Sequence, residues 1–146
     1  MRKALAVAQE SLASGDVPVG AIIVNKDYEI VATGHNEREL HSDPTAHAEV
    51  VALRRAAEKI GHRRLEGHTI FITLEPCAMC AGAIAQSRIS TVVFGAWDEK
   101  AGAVGSMWDL LRDPRSLFKV EVRSGVLESE CADLLKDFIR GVRKRD

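Results

Sequence analysis

Nothing in this sequence approaches the roughly 20 consecutive apolar residues that a membrane-spanning helix needs. The opening Met1-Arg2-Lys3 is basic, yet the apolar run behind it covers only Ala4 to Ala8 before Gln9 and Glu10. A secretory leader needs an apolar core of about 7–15 residues, so these residues read better as an amphipathic helix, and a cytoplasmic protein is expected. Aromatic residues are scarce, at 5%. There is no low-complexity tract, internal repeat or long block of like charge, so disorder and repeat architectures are not indicated. Neither sign of charge dominates: Lys and Arg number 20 against 21 Asp and Glu, and any case for nucleic acid must rest on local charge. Cysteine is sparse too. Three cysteines, two of them a Cys-x-x-Cys pair in a reducing compartment, favour metal or redox chemistry over a disulfide framework.

What is present suits one globular domain spanning residues 1–146, with 46% hydrophobic and 28% charged residues. A chain of this length buries about two-thirds of its unfolded surface in a single core. The pattern predicts a helix from Arg2 to Ser14, stopped at Gly15. Val19 to Val24 reads as a buried strand, Asn25 to Asp27 as a hairpin turn, and Tyr28 to Thr33 as the returning strand. A polar loop follows from Gly34 to Asp43. A second helix is expected from Thr45 to Ile60, with Ala46, Val50, Leu53, Ala57 and Ile60 on its buried face. Thr69 to Thr73 and Thr91 to Phe94 read as strands around a short helix from Ala78 to Ser87. The glycines between Gly95 and Gly105 imply a shaped loop near Trp97 and Asp98, and a short helical segment is expected over Met107 to Leu111. Lys119 to Arg123 is a fifth strand and Ser129 to Lys144 a closing helix. Alternating helices and strands imply an α/β fold, a three-layer α/β/α sandwich. Because the first two strands pair as a hairpin, its five-stranded sheet should be mixed.

The chemistry concentrates in two segments, Pro44 to Glu49 and Glu75 to Cys80. Each lies where a loop or strand becomes a helix, with Pro76 suited to a first helical turn. Cys77 and Cys80, three apart, place both sulfurs on one face, and a helix N-terminus favours the thiolates a metal needs. His47 and Glu49 are two apart, about 200° around a helix, so they converge only if the helix meets the site end-on. One imidazole and two thiolates match a catalytic zinc with three protein ligands and a fourth position open to water. Glu49 is then the proton carrier.

Alternatives stand beside this reading. A lone Cys-x-x-Cys also occurs in redox pairs and structural zinc sites. A redox pair fits poorly, because a histidine partner is at hand. A structural zinc needs a fourth ligand, and Cys131, His35, His41, His62 and His68 are all available by counting. The retained Glu49 speaks against a purely structural zinc or a non-catalytic binding module, because neither needs a proton shuttle. His-x-Glu followed by Pro-Cys-x-x-Cys is the zinc-deaminase signature, carried here whole.

Flanking segments sharpen the resemblance. Asp16 to Ala21, Gly34-His35-Asn36, Asp43 to Glu49, Thr73 to Ala83, Phe94 to Gly105-Ser106, and Glu130 to Phe138 together resemble the bacterial tRNA-specific adenosine deaminases, members of the cytidine deaminase-like superfamily. The likeness covers nearly the whole chain. It implies hydrolytic conversion of the wobble adenosine of a tRNA anticodon stem-loop to inosine, one Zn²⁺ per subunit on His47, Cys77 and Cys80, and a homodimer with no membrane partner. It also implies that Asn36 hydrogen-bonds the flipped adenine and that Asp98 lies beside the RNA. The core motif is shared with guanine, cytosine and pyrimidine-biosynthetic deaminases, so a nucleobase deaminase is the alternative. Glu75 is left outside the catalytic set, as support of its turn. Two local excesses of positive charge suit RNA: Arg54, Arg55, Lys59, Arg63 and Arg64 against Glu58 and Glu66, and the tail from Arg140 to Asp146. Trp97, and Ile139 in place of a second aromatic, depart from the family pattern. Trp108 and Cys131 are expected in the core or at a subunit interface.

Overall fold

In the computed structural model, which describes residues 1–145, the sheet is built around two central strands, one wholly buried and one buried at Ile70, Ile72 and Thr73. β1 (Gly20–Val24) is buried along its length, and β3 (Thr69–Leu74) runs antiparallel beside it, pairing Ala21 with Ile72 and Ile23 with Ile70. β2 (Ile30–His35) returns from the Asn25 turn onto the outer edge of β1. Tyr28 takes a positive φ of 60° in that turn, so the strand starts at Ile30, two residues after the expected Tyr28. β4 (Thr91–Ala96) and β5 (Glu121–Arg123) add in parallel, giving the order β2-β1-β3-β4-β5. The five-stranded sheet is mixed, as expected.

Strand alternation sorts the helices into two layers. Gly34 and its partner Ala21 face α3 (Ala48–Ile60), where a Cβ on Gly34 would lie 2.6 Å from the amide nitrogen of Ala52. Ile23, Ile70, Ile72, Val92 and Phe94 share that side with Ala81 and Ile84 of α4 (Ala78–Gln86), forming the main core. The neighbouring positions Gly20, Ile22 and Val24 point the other way, to α1 (Arg2–Ala8). Gly95 faces that second layer too, against Cys131 of α5 (Glu128–Arg143). Three layers follow, helices on both faces of a mixed sheet, as the alternating elements implied. Among the described residues, no helix is long and apolar enough to cross a membrane.

Several expectations need correcting. The first helix turns 3₁₀ from Gln9 to Ser14, where Ser14 Oγ bonds the Ser11 carbonyl and Gly15 adopts a left-handed φ of 75°. The loop after β2 contains the single turn α2 (Arg38–His41). Helix α3 starts at Ala48, and Ile60 in its last turn is 41% exposed, whereas Ala48, Ala52 and Ala56 form its contact line. Pro76 precedes the N-cap residue Cys77 and lies outside the helix. No helix forms over Met107 to Leu111. The Met107 and Trp108 amides instead bond the Gly102 carbonyl and the Leu110 amide that of Ala103. Cys131 is buried, but Trp108 is half-exposed and not in the core. Asp146, the acidic end of the basic tail, lies outside the described residues.

Candidate active site

The site forms where two helices begin. His47 is the N-cap of α3 with an extended backbone, ψ 153°, and Cys77 is the N-cap of α4 with ψ 176°. Neither is helical, which resolves the spacing problem: His47 leaves the helical path before Glu49, so the two side chains need not diverge by 200°. The turn before His47 is built locally. Asp43 Oδ1 accepts the Thr45 amide and hydroxyl, both at 2.8 Å, and the Glu37 amide bonds the Ala46 carbonyl. Both helices thus aim their N-termini at one point.

There the donor atoms of His47, Cys77 and Cys80 gather within 4.8 Å of one another. His47 Nδ1 lies 3.7 Å from Cys77 Sγ and 3.5 Å from Cys80 Sγ. Zinc bonds of ~2.3 Å to sulfur and ~2.1 Å to nitrogen at a tetrahedral angle place S and N about 3.6 Å apart. The residues present therefore fit zinc in spacing as well as in chemistry. The Cys77 thiol is held down to about 4, first by the hydrogen bond from Cys80 and then by His47, so it offers a thiolate at neutral pH. His47 is raised, chiefly by its contact with Cys77. The Cys80 thiol is pushed up by donating to Cys77 and by burial.

No fourth donor joins the group among the described residues. Cys131 lies on the opposite face of the sheet against Gly95. His35 and His41 contact Glu37, at 3.4 and 3.1 Å. His62 accepts the Arg64 amide, and His68 lies 3.0 Å from the Glu66 carbonyl. The arrangement leaves a coordination position free, as catalytic zinc sites do and structural ones do not.

Glu49, only 4% exposed, places Oε2 3.1 Å from Cys80 Sγ. Burial raises its pKa above the usual carboxylate range. It also lines a cavity of about 230 Å³ together with His47, Cys77, Asn36 and Asp98. Cys80 sits behind that wall, fully buried. The six residues singled out from the sequence thus converge on one place.

Buried polar side chains hold this wall in shape. Asn36 Nδ2 donates to the Val17 carbonyl at 3.1 Å and its Oδ1 accepts the Arg38 amide at 3.3 Å, so its amide orientation is fixed. Buried Asp16 accepts the amides of Glu39 and Leu40, at 2.7 and 3.2 Å, and the Ser14 hydroxyl. Glu75 is 2% exposed and accepts the amides of Asp98, Val104 and Ser106, plus the Ser106 hydroxyl. This carboxylate organises the loop that carries Asp98, which agrees with its supporting role. Val17, Val19, Leu74 and Ala101 complete the apolar wall. They come from separate segments, so no local pattern could have united them; the Asp16 to Ala21 segment was visible only as a likeness.

The chain as a whole is similar to known proteins. A family model described as MafB19-like deaminase matches residues 1–143. The chain is 45% identical over 145 residues to the tRNA-specific adenosine deaminase of Bacillus subtilis, covering 99% of this chain and 89% of that one. It is 46% identical over 144 residues to the tRNA-specific adenosine deaminase of Haemophilus influenzae, covering 99% and 83%. Among solved structures, one from work on A-to-I editing by tRNA:A34 deaminases at the wobble position of transfer RNA superposes with a TM-score of 0.88 at 40% identity. That likeness covers 92% of this chain and 97% of the other.

Proposed function

The chain belongs to the family of tRNA-specific adenosine deaminases, and on that premise we propose how its own residues carry out the reaction. It is a hydrolytic enzyme that converts the wobble adenosine of a tRNA anticodon to inosine and releases ammonia. The observation that carries the residue assignment is the convergence of His47, Cys77 and Cys80 on one point beside Glu49.

His47, Cys77 and Cys80 hold one Zn²⁺ in this reading, which when bound supplies a Lewis acid that lets water ionise near neutral pH. Glu49 moves the protons. Its carboxylate takes one from the attacking water as oxygen adds to C6 and passes it to N1 of the purine. It then takes the proton of the new C6 hydroxyl and delivers it to the exocyclic nitrogen, which leaves as ammonia while the C6 carbonyl forms. Burial suits this task, since a raised pKa lets the carboxyl group hold each proton between transfers.

Asn36 reads the base. One hydrogen of Nδ2 is engaged by Val17, leaving the second for a ring nitrogen. Asp98 Oδ1 accepts the amides of Lys100 and Ala101, which holds the carboxylate at the cavity wall for a sugar hydroxyl or a neighbouring base. The RNA partner is the anticodon stem-loop, encountered in the cytoplasm. A homodimer is part of the proposal: Trp97, Met107, Trp108 and Leu110, each 39–54% exposed, offer apolar surface for a second copy.

The test uses full-length tRNA with adenosine at the first anticodon position, and nucleoside mass spectrometry. Inosine should appear with zinc-loaded protein, undiminished by guanine, cytosine or free adenosine as competitors. Rapid turnover of guanine or cytosine with no inosine in the tRNA would assign the site to a nucleobase deaminase instead.

A further inference from the structure

The cavity wall carries three carboxylates, Glu49, Glu75 and Asp98, yet its substrate is a polyanion. A cavity of about 230 Å³ takes a purine base but not the chain that bears it, so the phosphates on either side of the reacting nucleoside stay at the mouth. Arg38 is the one Lys or Arg lining this cavity. It is exposed, two residues from Asn36, and its backbone is fixed on both sides: its amide bonds Asn36 Oδ1 and its carbonyl accepts the Asp43 amide. Its guanidinium has no ion pair or hydrogen bond among the described residues, although acids surround it. Those acids are already engaged. Glu37 accepts Arg55 at 2.9 Å and His41 at 3.1 Å, and Asp16 accepts two amides and a hydroxyl.

We propose that Arg38 is a phosphate-binding residue of this enzyme, gripping a backbone phosphate next to the adenosine whose base enters the cavity. A guanidinium can engage two phosphate oxygens at once, which fixes direction as well as charge. The hydrogen bond from its own amide to Asn36 places phosphate grip and base reading on the same short, braced segment. Proper seating of the RNA chain at Arg38 therefore presents the base to Asn36 and Glu49 in register.

The inference rests on the RNA substrate assigned above, and the experiment separates the two. Zinc-loaded full chain and its Arg38→Gln variant are assayed on an anticodon hairpin, and on hairpins in which a neutral methylphosphonate replaces each phosphate flanking the adenosine in turn. Binding is measured in parallel in a Glu49→Ala background, where turnover does not interfere. Arg38→Gln should lower affinity and kcat/KM about tenfold or more on the native hairpin, the range of a lost charged hydrogen bond. One methylphosphonate should cost the parent enzyme the same factor and cost Arg38→Gln little further. Arg38→Gln with unchanged affinity and kcat/KM, or losses from the variant and from every methylphosphonate that simply multiply, would overturn the assignment while leaving the substrate intact. Absence of inosine from the parent enzyme on any hairpin would instead bring down the substrate reading, and this inference with it.

Discussion

At Glu49 the sequence and the fold ask for opposite things: a carboxylate prefers water, and the helix start buries it against the Cys80 sulfur. Such a placement is tolerable for a group that exchanges protons. Glu49→Ala should lower kcat/KM by about 10²–10⁴-fold while one zinc per chain remains. His47→Ala, Cys77→Ala and Cys80→Ala should instead lose the metal, as read by metal analysis of the dialysed protein. Full activity in Glu49→Ala would remove the proton-transfer role. Asp16 gives a second test, through pH. Burial pushes its pKa up, but bonds from the Glu39 amide, the Ser14 hydroxyl and the Leu40 amide bring it below the usual carboxylate value. Its stabilisation is therefore complete above the unfolded carboxylate pKa and is lost as pH falls through the lower folded value. In urea unfolding, the stability gap between the parent chain and Asp16→Asn should be open at pH 7 and narrow in acid. A gap that widens toward low pH would contradict this account.

At the scale of elements, the close approach of α3 to the sheet sets where His47 and Glu49 sit. Gly34 permits it, since a Cβ there would meet Ala48 and Ala52 backbone. Gly34→Ala should destabilise the fold by about 1–3 kcal/mol in urea and weaken zinc binding as well, because the displaced helix carries the ligand. Unchanged zinc affinity would show that the helix start is fixed independently of the sheet. Glu75→Gln should cost a comparable ~1–3 kcal/mol, because an amide hydrogen replaces an acceptor among backbone amides.

The elements also mark what was legible in the sequence. The strands around Ile23, Ile70 and Val93 announced themselves by continuous β-branched and aliphatic runs. The end-on helices followed from the spacing of His47 and Glu49. The segment after β4 did not: Met107 to Leu111 has a helix-like pattern, but Gly102 and Ala103 carbonyls claim its amides. Glu75 bonds the same loop, through the amides of Asp98, Val104 and Ser106. Glu75 was legible only as support of its own turn, and the reach of Asp16 and Glu75 was not, since each accepts backbone amides more than 20 residues away in the chain. Pro76 misled by two positions, because the helix begins at Ala78, after its N-cap Cys77.

For the whole molecule, balanced net charge leaves RNA attraction to local groups. The structure narrows the choice. Arg55 is spent on Glu37 and Arg54 lies 4.0 Å from Asp43, while Arg63 and Arg64 follow the far end of α3. That helix of 13 residues puts about 20 Å between its end and His47. Positive charge near the reaction is therefore sparse, with Arg38 the cation of the cavity wall. Affinity for tRNA should still fall with salt, by a slope of about 0.7–0.9 in log K per log salt for each phosphate neutralised. A dissociation constant that ignores salt between 50 and 200 mM would leave the basic groups without a role in binding.

The central claim is that this site hydrolyses the amine of one adenosine in tRNA, and mass mapping of the anticodon fragment tests it most directly. Zinc-loaded protein should raise the mass of that fragment alone, by the exchange of an amine for a hydroxyl at its first anticodon position, with one ammonia released per tRNA. The same tRNA carrying guanosine there should stay unchanged. A fragment left at its original mass after incubation with the loaded enzyme, or a mass change mapped elsewhere in the tRNA, would contradict the account.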